Sequence, residues 1–338
     1  MSIKLITAFV LALLFSTLFG KYYIPWLVKQ KAGQKIKEIG PRWHMDKSGT
    51  PTMGGLIFIL ATLFVLLTVG FESMLQGRYL HLFVFLFALV FGAIGFLDDW
   101  EKIKKKQNLG LKAGPKFLLQ LIAAMLFIFL MKKFGYVRGD LYIPFFNVSV
   151  SIPQWLYFVL SAFIIVGGVN SVNITDGIDG LATGTAMPVM LFFVAVCFLT
   201  GGKYYELGVF ASALLGGLAG FLYYNFNPAK VFMGDTGSLF LGGAIVALAY
   251  GYDMPLILIT LGIMFILETL SDIIQVCYFK ITHGKRVFKM APFHHHLELG
   301  GFLGHKWKER EIFAMFTGVS ILFAVISFIG IYARNWQY

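Results

Sequence analysis

The chain has 338 residues, of which 58% are hydrophobic and only 13% charged, and its mean hydropathy is +0.77. A water-soluble globule of this size cannot hide that much apolar surface, so a soluble enzyme, a disordered chain and a secreted disulfide scaffold are excluded. The apolar runs are continuous, where the strands of an outer-membrane barrel would alternate. The composition therefore indicates an all-α integral membrane protein, with apolar residues enough for roughly ten helices of about 20 residues each.

In chain order, the expected spans are 3–27, 53–70, 80–97, 116–131, 154–172, 181–200, 206–224, 236–252, 255–279 and 310–333. The first begins like a signal peptide at Lys4. It runs on through Tyr22, Tyr23 and Trp26 without a small-residue cleavage site, and reads as an uncleaved helix. Between the fourth and fifth spans, residues 141–152 alternate and predict a small β-hairpin. Cys197 and Cys277 both fall inside apolar runs and read as small buried side chains. No repeat and no low-complexity linker interrupts the chain, so 1–338 is expected to form one polytopic domain.

Charge sets the orientation. Lys and Arg number 28 against 17 Asp and Glu, a net +11. The loops 28–52, 98–116 and 280–309 hold 18 of the basic residues, whereas the connections on the other side hold five: Arg78, Lys132, Lys133, Arg138 and Lys203. The positive-inside rule makes the first set cytoplasmic. Ten spans then leave both termini external, with the hairpin external too.

Polar residues at the ends of these spans mark the chemistry, because they are unfavourable there without a function or a partner. Asp98 and Asp99 close the third span, where the helix end already carries negative dipole charge. They are either a solvated end paired with Lys102 or Lys104, or a site that needs a cation. Asn170, Asn173, Asp176 and Asp179 recur every third residue at the end of the fifth span, with Gly177 and Gly180 following the acids. Glycine there lets the backbone turn and approach a ligand. Asp235 precedes the eighth span beside Thr236 and Ser238, either as an N-cap or as part of an acidic site. Glu268, Asp272 and Gln275 share helical spacing in the ninth span, either as glue between helices or as the wall of a polar groove.

His294, His295 and His296 follow Pro292 in the last cytoplasmic loop. Three consecutive histidines cannot all face one metal from regular structure, so a zinc site is disfavoured and contact with an anionic ligand fits better. Hard oxygen ligands next to lysines suit Mg²⁺ and phosphate. No G-x-x-x-x-G-K-[ST] loop occurs, so a P-loop ATPase is not indicated. The polar groups sit at the cytoplasmic edge, whereas those of a secondary transporter should gather near the midplane.

Asp98-Asp99, the run Asn173 to Gly180, and Asn225-x-x-Pro228 through Asp235 resemble the motifs of polyprenyl-phosphate sugar-1-phosphate transferases. Lys47-x-Gly49-Thr50-Pro51-Thr52-Met53-Gly54-Gly55 and Pro292 to Glu298 resemble, more narrowly, the phospho-N-acetylmuramoyl-pentapeptide transferases. The resemblance covers essentially the whole chain. A sister group that transfers N-acetylglucosamine 1-phosphate would share the acidic clusters but not the histidine motif.

The resemblance implies transfer of phospho-N-acetylmuramoyl-pentapeptide from UDP-N-acetylmuramoyl-pentapeptide to undecaprenyl phosphate, giving lipid I and UMP in peptidoglycan synthesis. It implies Mg²⁺, a homodimer of ten-helix subunits in the bacterial cytoplasmic membrane, and a bent ninth span beside a groove for the lipid chain. No nucleic acid is expected as a partner. The active-site loops would be 28–52, 98–116, 173–180, 225–235 and 280–309. Asp235 would ligate Mg²⁺, with Asp98 and Asp99 close by as catalytic residues and Asp98 facing the acceptor phosphate. Asn173, Asp176, Gly177, Asp179, Asn225 and Phe232 would hold the uridine end of the donor. Lys47, Thr52, Lys102, Lys106, Gln275, His294, His295 and His296 would line the remainder.

Overall fold

The computed structural model describes residues 1–30, 47, 49–105, 109–334 and 336. Helix α1 spans Ser2–Lys29, α2 Leu56–Thr68, α3 Phe71–Leu75, α4 Leu80–Lys105 and α5 Ala113–Lys133. The strands β1, Asp140–Ile143, and β2, Val148–Ser151, follow. Then come α6, Gln154–Thr175, α7, Leu181–Leu199, α8, Tyr205–Asn225, and α9, Gly234–Gly251. The chain ends through α10, Leu258–Leu261, α11, Ile263–Ile281, α12, Phe293–Glu298, and α13, Glu309–Tyr332.

Seven of these helices are long and apolar enough to cross a membrane: α1, α4, α5, α6, α7, α8 and α13. An eighth span counts if the bent pair at 255–281 is taken as one. The remaining two expected segments are helical but less clear-cut. α2 has 13 residues and stops at Thr68, where Val65 O takes the N–H groups of both Val69 and Gly70 and the chain turns into α3. α9 opens on Gly-Asp-Thr-Gly-Ser, a polar first turn.

The ninth expected span is not continuous. A 3₁₀ turn at Pro255–Ile257 leads into α10, which meets α11 at 80°. Gly262 makes the break: its N–H closes α10 on Leu258 O at 2.9 Å, and its carbonyl starts α11 by accepting from Ile266 N–H at 3.0 Å. Composition alone gave one unbroken span; the bend was implied only by the family resemblance. Cys277 also departs from expectation, being exposed on α11, whereas Cys197 is buried.

α9 runs through the middle of the bundle. Every residue from Thr236 to Gly251 is buried. It is packed by α4 on one side and α6 on another, and small residues let the backbones touch. A Cβ on Gly95 of α4 would lie 2.0 Å from Asp235 O, and one on Gly55, just before α2, would lie 2.2 Å from Gly237 Cα. α1 and α13 are peripheral, with many large apolar side chains exposed.

β1 and β2 pair antiparallel, with Asp140 opposite Ser151 and Ile143 opposite Val148. The turn docks on the end of α13, where Phe145 N–H donates to Gly330 O at 2.7 Å and Asn147 Nδ2 to Ala333 O at 3.1 Å.

Candidate active site

The end of α4 and the start of α9 bring Asp98, Asp99 and Asp235 together, with one carboxylate oxygen of each within 4.8 Å of the others. Two lysines neutralise them. Lys102 Nζ lies 2.6 Å from Asp98 Oδ2, 3.3 Å from Asp235 Oδ2 and 3.7 Å from Asp99 Oδ1. Lys116 Nζ, from the first turn of α5, lies 2.5 Å from Asp235 Oδ2 and 3.6 Å from Asp98 Oδ1.

The three acids differ in what holds them. Asp99 faces the first turn of α9. Its Oδ2 accepts from the Thr236 N–H at 2.9 Å and the Thr236 hydroxyl at 2.7 Å, and its Oδ1 from the Asp235 N–H at 3.2 Å. It supplies from another helix the acceptors that an N-cap would provide. Asp98 Oδ1 accepts from the Leu111 N–H at 2.9 Å. Asp235 Oδ1 accepts from Asn173 Nδ2 at 3.2 Å, and the same amide donates to Ser238 Oγ at 2.7 Å. The hydroxyl of Thr52 borders this cluster, 2.6 Å from where a Cβ on Gly234 would stand.

A donor set of carboxylate oxygens alone fits a hard divalent cation such as Mg²⁺, which takes one or two carboxylates and fills its other positions with water and phosphate. Asp98, Asp99 and Asp235 meet that description, without sulfur or imidazole among them.

A second cluster flanks the first. Asp179, almost fully buried, accepts from Lys47 Nζ at 2.7 Å on Oδ1, and on Oδ2 from Asn227 Nδ2 at 3.1 Å and the Ala229 N–H at 2.9 Å. Lys47 also pairs with Glu309 at the start of α13, 2.5 Å away. Asp179 thus pins the 226–233 loop to the 176–180 loop. Asp176 is different: among the described residues its carboxylate carries no hydrogen bond or ion pair. Removal from water, with the negative charges of Asp235, Asp99 and Asp179, holds it well above the usual carboxylate range.

Asn225, expected at the donor, is buried; it accepts from Thr183 Oγ1 at 3.0 Å and donates to Val231 O at 3.0 Å, which shapes the loop. Phe232 is half-buried, and its backbone is tied to the Pro51–Gly54 segment: its N–H donates to Pro51 O at 2.9 Å and its carbonyl accepts from the Gly54 N–H at 2.8 Å. Gln275, on α11, holds the segment that follows the helix, accepting from the N–H groups of Val287 and Phe288 at 3.1 and 3.0 Å and donating to Phe288 O at 3.2 Å. Lys106 lies outside the described residues.

The three histidines diverge. His294 Nδ1 pairs with Glu268 Oε2 at 2.9 Å, and its ring edge lies against Gly177. His295 Nδ1 pairs with Glu298 Oε2 at 2.6 Å. His296 Nδ1 accepts from the Lys289 N–H at 3.1 Å, and its ring packs on Phe302 with centroids 4.3 Å apart. Burial and the nearby Lys289 charge push His296 below the usual imidazole range.

Four further residues join the site: Lys116, Glu268, Asn227 and Glu309. Lys116 follows Gly-Pro at the head of an apolar run, and a charge there was a signal within reach of sequence reading. Asn227 and Glu309 carry no local signal, because loop folding alone brings them to Asp179.

Comparison with known proteins places the chain. Residues 81–253 match the family model described as glycosyl transferase family 4, and residues 47–59 match the phospho-N-acetylmuramoyl-pentapeptide-transferase signature 1. The phospho-N-acetylmuramoyl-pentapeptide-transferase of Geobacillus thermodenitrificans is 44% identical over 334 residues, 98% of each chain. That of Caldanaerobacter subterraneus subsp. tengcongensis is 44% identical over 325 residues, 96% of this chain and 98% of the relative. That of Clostridium botulinum is 44% identical over 329 residues, 96% of each.

Proposed function

Because the chain belongs to the phospho-N-acetylmuramoyl-pentapeptide transferases of glycosyl transferase family 4, we propose that the carboxylate cluster at the α4–α9 junction is where its phosphoryl transfer takes place. The chain transfers phospho-N-acetylmuramoyl-pentapeptide from its UDP donor to undecaprenyl phosphate and releases UMP, as a multi-pass protein of the bacterial inner membrane. The observation that carries the assignment of the site is the convergence of Asp98, Asp99, Asp235, Lys102 and Lys116.

Asp235 and Asp98 would hold Mg²⁺, with Asp99 fixing the turn that carries Asp235. Bound there, the cation would withdraw charge from the diphosphate being cleaved. Lys102 and Lys116 bring two ammonium groups to the place where two anionic substrates must meet, which offsets their repulsion and orients them in line. The acceptor phosphate is largely ionised near neutrality, so attack on the donor's β-phosphate needs little proton removal. Asp98 positions the acceptor. Asp176 and Phe232 take the uridine end, the ring by stacking and the carboxylate by hydrogen bonding. Asn173, Asp179 and Lys47 brace that pocket.

Ten membrane crossings, with both termini and the hairpin external, put this end of the bundle in the cytoplasm, where the UDP donor is. The excess of basic residues on the loops at that end supports the orientation. A homodimer is expected from the family resemblance. The test is UMP release by the purified protein with UDP-N-acetylmuramoyl-pentapeptide, undecaprenyl phosphate and Mg²⁺. Release with UDP-N-acetylglucosamine in place of that donor would overturn the substrate assignment.

A further inference from the structure

Glu268 and His294 form a buried pair that the transfer chemistry above does not use. Glu268 stands on α11, just beyond the 80° break, and His294 on α12; neither side chain is accessible. Both Glu268 oxygens are committed to one partner. Oε1 accepts from the His294 backbone N–H at 3.2 Å, and Oε2 pairs with Nδ1 of the same residue at 2.9 Å. A carboxylate can only accept here, so Nδ1 carries the proton, and His294 is held at two points, one on its ring and one on its backbone. The opposite nitrogen, Nε2, is buried and has no partner among the described residues. A Cβ on Gly177 would stand 2.3 Å from it. Gly177 lies between Asp176 and Asp179, in the loop assigned above to the donor.

An orphaned buried nitrogen at the edge of a binding loop is an unfavourable arrangement that calls for a partner. The carboxylate behind it fixes both the tautomer and the direction in which that nitrogen points, the role that outer partners play for ligating histidines. We infer that Glu268 is a positioning residue for donor recognition, acting through His294 on the 176–180 loop and the donor seated there. This rests on the transferase reading of the site. It makes α11 more than a lipid-facing helix: the segment after the break sets the donor pocket from behind. Gly177 is then required for space, since any side chain would displace the imidazole.

The test uses the full-length protein and UMP release, varying each substrate with the other saturating. Glu268→Gln keeps the shape but sets an amide N–H₂ against Nδ1. Its kcat/KM for the UDP donor should fall roughly 10- to 100-fold, while KM for undecaprenyl phosphate stays near that of the parent. The double variant Glu268→Gln/His294→Gln should be no worse than His294→Gln alone, because both act through one imidazole. Gly177→Ala should give the same donor-specific loss, again without adding to Glu268→Gln, and it carries the test if Glu268→Gln does not fold. Multiplying losses, equal losses for donor and acceptor, or an unchanged donor kcat/KM would overturn the inference. Absence of UMP release from the parent protein would instead overturn the transferase reading itself.

Discussion

Asp99 and Thr236 are joined across two helices by a double contact: one carboxylate oxygen accepts both the backbone N–H and the side-chain hydroxyl of Thr236, at 2.9 and 2.7 Å. The adjacent acids Asp98 and Asp99 therefore have separable duties. Asp99 is only 2% exposed and holds the first turn of α9. Asp99→Asn should lower stability by about 1–3 kcal/mol, the usual range when a buried hydrogen-bonding group loses its partner, and should lower turnover as well. Asp98→Asn should abolish turnover with a smaller fall in melting temperature. Thermal unfolding and UMP release on both variants check the split; identical stability losses would contradict it.

Lys116 is expected to matter as much as the acids. Lys116→Met removes an ammonium 2.5 Å from Asp235 without changing the length of the side chain greatly. Turnover should fall at least roughly 100-fold, on the scale of losing one preorganised electrostatic contact. The protein should still bind uridine nucleotides, because Lys116 faces the acids and not the 226–233 loop. Nucleotide affinity by calorimetry, set beside UMP release, separates these two effects.

Phe232→Ala should weaken binding of uridine-containing ligands by about 1–3 kcal/mol, the range for loss of one base-stacking face. The backbone of Phe232 is held by Pro51 and Gly54, so truncation should change the ring and leave the loop in place. Unchanged affinity would remove this residue from the pocket.

Asp176 gives a pH prediction. Its folded-state pKa is raised by removal from water and by Asp235, Asp99 and Asp179. A group raised in this way favours folding below its unfolded pKa and loses that contribution as pH rises through the folded value. In EDTA, Asp176→Asn should therefore melt higher than the parent, and the gap should widen between pH 5 and pH 8. Donor affinity of the same variant should fall. A gap that narrowed with rising pH would reverse the sign and refute the assignment.

Metal dependence can be checked by removal. EDTA should abolish UMP release and Mg²⁺ should restore it, with Zn²⁺ alone less effective, because the metal-ligand group found among the described residues consists of carboxylate oxygens without sulfur or imidazole. Full UMP release in EDTA, with no metal restored, would refute the assignment of a cation to these acids.

Much of this site was legible before folding, for a physical reason. Asp98, Asp99 and Asp235 are carboxylates at the ends of apolar helices, where only a function or a dedicated partner makes them tolerable. The break at Gly262 was not visible in composition, because the residues on both sides of it are apolar. An amide in a polar run has the same appearance whether it holds a loop or a substrate, so the loop contacts of Asn225 and Gln275 with Thr183, Val231, Val287 and Phe288 are legible only in the fold. Glu268 stands out in the sequence as a polar residue in an apolar span, but its pairing with a histidine 26 residues later depends on how α12 folds back on α11.

The glycine contacts at Gly95 and Gly55 have a mechanical consequence. Where backbone meets backbone, no side chain can rotate to let the helices drift, so the spacing between Asp98 and Asp235 is as stiff as the main chains themselves. α1 and α13, with their exposed apolar flanks, are the parts that feel lateral pressure and changes in bilayer thickness. Asp235 is shielded from those forces on α9, buried along almost its whole length, and Asp98 and Asp99 are tied to it by the close approach of Gly95 on α4. The fold thus works as a suspension: a compliant outer ring takes up the bilayer's fluctuations while the carboxylates ride on the stiff α4–α9 junction.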